Sequence, residues 1–243
     1  MIEEAQQIFD YLPVSFRNES EQEYITFLWE TFVANYEAKK YSFAFLAYHM
    51  IFMSFVYFEI WQIKQNRVED FKNAMVGFAK QDEKELMDAS TPFMLWRVKE
   101  RTVFRFLKLI GVSNSDIGLF ETVVKERDNI AHSNGVIHSG TQKDVDRRIE
   151  DILRYTERIQ NHSTKIILNC YENFLITSAA IEELGSFDQE TQIREVLVYG
   201  NYLSMKDIEV LRGYDHEKLK DKENYPNIAA LVEKLQEMYP SEE

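Results

Sequence analysis

The sequence is poor in the residues that punctuate a chain: one cysteine, eight glycines and four prolines in 243 residues. A lone Cys170 excludes an intrachain disulfide and suits a reducing cytosol. Its neighbours Ile166, Ile167, Leu168 and Phe174 mark it as a buried, inert thiol rather than a nucleophile. So little turn-forming material argues against a many-stranded fold. The prolines at 13, 92, 226 and 240 all fall where helical patterns pause. No Walker loop, GxGxxG, G-x-S-x-G or HExxH is present, and the five histidines (49, 132, 138, 162 and 216) are scattered. Neither a metal site nor a bound cofactor is expected. An excess of basic residues is missing too: the formal net charge is −13. A protein that grips long nucleic acid nonspecifically needs a basic face, so any nucleic-acid recognition here must be local. No basic stretch precedes an apolar one at the N-terminus, so no secretory signal is read and a cytoplasmic protein is expected.

What is there is helical pattern. Residues 2–12 form a short amphipathic segment closed by Pro13, and Ser20-Glu21-Gln22-Glu23 reads as a capping box opening a helix to about Lys39. Residues 41–61 are the most apolar stretch, free of Asp, Glu, Lys and Arg until Glu59. That length raises a membrane span, but its aromatic richness, with Ser42, His49 and Ser54 inside, fits the centre of a bundle or an interface better. His49 is expected to be a hydrogen-bonded core histidine. Residues 71–78 and 86–87 continue helical around a charged connection at 81–85. A helix then starts at Thr91-Pro92 and ends at Gly111, carrying Arg97, Lys99, Arg101, Arg105 and Lys108, the most basic stretch of the chain. Residues 141–171 form a long helix. Three short ones follow at 193–199, 204–211 and 227–239, where acids outnumber bases and make a poor surface for DNA. The expected fold is all-α: a helical bundle over 1–184 and a small acidic helical extension over 185–243.

Residues 117–131 read as an amphipathic helix, with Asn134-Gly135 as its stop. Turning each residue by about 100° places Phe120, Val123, Val124, Ile130 and Ala131 on one buried arc. Arg127 falls near the middle of that arc. A guanidinium cannot shed its charge, so burying it unpaired costs several kcal/mol. Either a structural carboxylate holds it or a site needs it there.

Arg127-Asp128-Asn129-Ile130-Ala131-His132 resembles the Arg-x4–6-His motif of the HEPN superfamily, including the polar residue after the Arg. The resemblance covers the motif and the helical organisation around it, not the C-terminal quarter. It implies a HEPN-like bundle that pairs as a homodimer and, in catalytic members, cuts RNA without a metal to leave 2′,3′-cyclic phosphate ends. His132 would then move the proton, Arg127 would neutralise charge on the phosphate, and Asp128 would orient Arg127. Asn129, Arg101 and Arg105 are the candidate RNA contacts. One Arg and one His per chain are few for phosphoryl chemistry, and a facing second copy doubles both. The expectation is a metal-independent endoribonuclease in a toxin or antiviral-defence setting, restrained by an inhibitory or antitoxin protein. The alternative is a non-catalytic HEPN-like dimerisation or binding module.

Overall fold

The computed structural model describes residues 1–132, 140–180 and 188–241, and among these every regular element is helical. Two compact units are present. The first comprises residues 1–9 and 18–162, the second residues 10–17 and 163–243. The units divide within a long helix, whereas the domain boundary read from sequence, 184/185, lies outside the described residues.

The first unit is arranged around a helix that is apolar on every side. After the short α1 (Ile2–Gln6), α2 (Glu19–Glu37) and α3 (Tyr41–Asn66) form a helical hairpin joined by residues 38–40. Lys39 turns the chain there with a positive φ of 59°. Asn18, rather than Ser20, caps α2, its side-chain oxygen accepting the Glu21 N–H at 3.0 Å. An Asx side chain in extended backbone reaches that N–H, so the helix starts one residue before the expected capping box. α3 is the one described helix long and apolar enough to cross a bilayer, yet 83% of its most apolar window is buried inside the protein. Phe45, Tyr48, Phe52 and Phe55 on it are fully enclosed, and Phe32 of α2 lies 5.1 Å from the Tyr48 ring. A helix buried all round needs apolar side chains all round, which accounts for its missing stripe.

α4 (Val68–Ala74) and α5 (Lys80–Met87) follow, and the charged run 81–85 is itself helical rather than a connection. The single helix expected from Thr91 to Ile110 is broken. Pro92–Arg97 is a 3-10 turn, α6 spans only Glu100–Val103, and Phe104–Ile110 returns to 3-10 before Gly111 at φ 87°. Val98 and Lys99 are extended between them, and the tighter 3-10 turns bring Leu95, Phe104, Phe106 and Leu107 inward. α7 (Asn114–Ala131) is capped by Ser113, which accepts from the Asp116 N–H, and contacts α3. Its Phe120, Val123 and Val124 are buried as the helical arc requires, while Ile130 is half-buried and Ala131 exposed because the helix is ending.

α8 (Gln142–Ala180) runs for 39 residues. In the second unit α9 (Gln189–Thr191), a π-helical stretch (Gln192–Tyr199), α10 (Met205–Arg212) and α11 (Tyr225–Met238) follow it. Their core gathers Tyr171, Leu175, Leu197, Leu203, Ile208 and Leu235. Ser204 forms a capping box with Asp207 at the start of α10. Residues 10–17 belong to this unit: the Val14 N–H donates to the Leu203 carbonyl, and Arg17 donates to the Gly200 carbonyl.

Candidate functional site

Three of the expected site residues meet at the end of α7, on one carboxylate. Asp128 Oδ1 lies 3.2 Å from Arg127 Nη1 and 3.8 Å from His132 Nε2, and its Oδ2 accepts from Arg101 Nη2 at 3.0 Å. Helical spacing explains the His132 approach, since i and i+4 share a face. The helix stops at Ala131, and His132 is its C-cap, with extended backbone (φ −87°, ψ 137°) and a side chain 73% exposed. The expected stop at Asn134-Gly135 lies outside the described residues, as does His138.

Arg127 is half-buried, as an arginine on an apolar arc must be if it has partners. Its Nη2 lies 2.5 Å from Glu100 Oε2, and the same oxygen lies 3.0 Å from Nε2 of His49, whose side chain is almost completely enclosed in α3. So α3, α6 and α7 each contribute one member of a His49–Glu100–Arg127 chain. Burial raises the Glu100 pKa, but the hydrogen bond and charge of His49, then those of Arg127, outweigh it and leave the carboxyl below its usual range. Among the described residues, the buried Arg127 Nε and His49 Nδ1 make no hydrogen bond. The guanidinium therefore keeps a donor in reserve.

The structural carboxylate considered as an alternative in the sequence is thus present, and it is Glu100. The arginine is nonetheless not sealed off, because Glu100 and Arg127 line a cavity of about 720 Å³. Aromatic rings wall it: Phe93 meets Tyr24 edge-on at 5.3 Å and Tyr57 at 6.3 Å, and Trp96 stands 68% exposed at the surface. Burial raises the phenol pKa of both Tyr24 and Tyr57, so both stay neutral. The buried Glu21 also lines the cavity and accepts a hydrogen bond from Thr91.

The remaining expected contacts separate. Arg101 joins the cluster through Asp128. Arg105 lines a different recess, of about 400 Å³, with Lys108 and Glu121. Asn129 is exposed and makes no side-chain hydrogen bond among the described residues. Glu100 and Glu21 were not read as site residues from the sequence. The signal for Glu100 was the demand of two buried bases, His49 and Arg127, for an acid. Among the described residues no group of three or more His, Cys, Asp or Glu side chains is arranged to hold a metal. Comparison of the chain with family models, curated proteins and solved structures finds no match.

Proposed function

We propose that this protein is a metal-independent endoribonuclease of HEPN type, working as a homodimer. The observation that carries the reading is the convergence of Arg101, Arg127 and His132 on the Asp128 carboxylate. Cleavage of RNA by its own 2′-hydroxyl needs two things. Protons must leave the attacking oxygen and reach the departing 5′-oxygen, and fixed cations must face the phosphorane. The exposed His132 is placed for the first task, and Arg127 with Arg101 for the second. In the reaction the 2′-oxygen bonds to phosphorus and the bond to the 5′-oxygen breaks. The products are a 2′,3′-cyclic phosphate and a 5′-hydroxyl end. Two protomers supply two imidazoles, one to accept the proton and one to deliver it. Asp128 holds both cationic partners in orientation before substrate arrives.

The test is cleavage of mixed RNA by purified protein in the presence of a chelator. His132→Ala and Arg127→Ala each lower the rate at least ~100-fold, the usual scale for a proton-transfer or oxyanion-stabilising group. Replacing the 2′-hydroxyls by hydrogen abolishes product. Full cleavage by His132→Ala would remove the reading.

One observation favours the second reading, a non-catalytic HEPN-like binding module. Arg127 is already neutralised by Glu100, as a purely structural arginine would be. In that case the chain does not cut RNA, and Arg127→Ala lowers stability alone. The toxin or defence setting and a restraining antitoxin-like protein belong to the nuclease reading, and growth on overexpression tests them: Arg127→Ala relieves toxicity.

A further inference from the structure

The cavity beside Arg127 has a size and a lining that the cleavage chemistry does not require. Its volume of about 720 Å³ lies in the range of sites that enclose a small organic group. The Phe93 ring in its wall is held by edge contacts from Tyr24, Tyr57 and, at 5.6 Å, Phe58. Trp96 adds a large, mostly exposed indole, and Met53 of α3 adds apolar surface. Much of the polar lining is spent inside the protein. Ser20 donates to Asn18, Ser54 to the Met50 carbonyl and Thr91 to Glu21. Glu100 is shared by His49 and Arg127, and Glu21 has a further interaction besides Thr91. The Tyr24 and Tyr57 hydroxyls, by contrast, make no hydrogen bond among the described residues, and the exposed Lys99 ammonium makes no ion pair there. The cavity thus offers aromatic faces, two neutral hydroxyls and one uncommitted positive charge.

We propose that this cavity is a stacking pocket that takes one unstacked base of the RNA strand, whichever base it is, with an adjoining phosphate on Lys99. The inference rests on the nuclease reading and says how a strand is held at that site. A flat ring with an anion attached is the complement of this lining, and a nucleotide of single-stranded RNA is such a unit. Every base has a π-face, so aromatic walls hold all four. A phenol both donates and accepts, so the two free hydroxyls suit carbonyl, ring-nitrogen and amino edges alike. Lys99 is exposed, so the phosphate keeps much of its water while the base gives up its own. The acidity of the chain bears on the point as well. With no broad basic track, affinity for a strand must come from stacking more than from phosphate contacts. Arg127 lines the cavity and also meets Asp128, so a base seated here sets the register of the strand at His132.

The experiment uses the full chain and short oligonucleotides with 2′-O-methyl sugars, which cannot be cleaved: all-uridine, all-cytidine and abasic strands of one length. Binding is read by fluorescence anisotropy. The uridine and cytidine strands are expected to bind alike, and the abasic strand about tenfold more weakly, the scale of one base stacked on an aromatic ring. Met53→Trp, which fills the cavity from α3, and Trp96→Ala, which strips a ring from an exposed position, should each lower affinity for the uridine strand by a similar factor and leave the abasic strand unaffected. Thermal melts identify a variant that does not fold, and the other then decides. Lys99→Ala should make the logarithmic salt slope shallower by about 0.7, the share of one phosphate of a single strand. Equal binding of uridine and abasic strands by the parent, or full affinity for uridine in the folded variants, overturns the proposal. So does UMP binding as tightly as the strand, by assigning the pocket to a free nucleotide. Cleavage in a protein that binds both kinds of strand equally removes the pocket alone. Base-dependent binding in a protein that never cleaves removes the nuclease reading alone.

Discussion

Glu100→Gln probes the link between the buried interior and the motif most directly. The substitution keeps the size of the side chain and one acceptor oxygen but removes the charge that His49 and Arg127 share. A hydrogen bond to a charged partner contributes about 1.5–3 kcal/mol, and losing one side of a buried pair leaves the other uncompensated. Two such contacts end on one oxygen here. Arg127 retains Asp128 and is a quarter exposed, which discounts its share. The net expectation is a loss of ~2 kcal/mol near neutral pH. All three tryptophans, 29, 61 and 96, belong to the first unit, so urea unfolding followed by tryptophan fluorescence reports on that unit without the second.

The pH dependence has a definite sign. The Glu100 carboxyl is held below its ordinary value in the folded state, so its contribution is complete above the unfolded value of about 4.3. It is lost as the pH falls through the lower, folded value. The gap between parent and variant should therefore close as the pH falls below the ordinary carboxylate range. A gap below ~0.5 kcal/mol near neutrality, or one unchanged in strong acid, would refute the idea that Glu100 binds its partners as an anion.

Further tests address packing and capping. Phe120→Ala empties a fully buried site between the rings of Phe104 (5.8 Å) and Tyr155 (5.3 Å), and should cost about 3–5 kcal/mol in the same fluorescence assay. Ser204→Ala breaks the capping box of α10 and should lower stability by ~1 kcal/mol, seen by circular dichroism. Burial pushes the Cys170 thiol up to about 12, so a thiol reagent at mildly alkaline pH should label native protein at least ~100-fold more slowly than protein in urea. Carbonate extraction should leave the protein out of the membrane fraction, because α3 spends its apolar surface inside the bundle.

How much was legible in the sequence varied with the kind of signal. α7 was readable because its apolar spacing matches the face it buries, and the helix read at 204–211 is α10, which Ser204 and Asp207 open with a capping box. The 91–110 region misled because its apolar residues fit a helical period, while 3-10 turns and an extended pair at Val98-Lys99 bury the same side chains differently. The anomaly of Arg127 on an oily arc was visible, but its partner was not. Glu100 is far away in sequence and looks like one more surface acid until α6 is folded against α7. Glu21 was read only as part of a capping box, and its burial beside a cavity depends on packing that no local pattern encodes.

On the proposed nuclease reading, Asp128 is a placeholder anion. Arg101 and Arg127 each rest against a carboxylate of the chain, so an incoming phosphate swaps one negative group for another and displaces few small ions. Affinity for single-stranded RNA should then fall only gently with added salt, with a logarithmic slope shallower than about −2 for each protomer's cluster. On that reading, a strongly acidic protein stays indifferent to the bulk of cellular RNA and still holds one strand at one place.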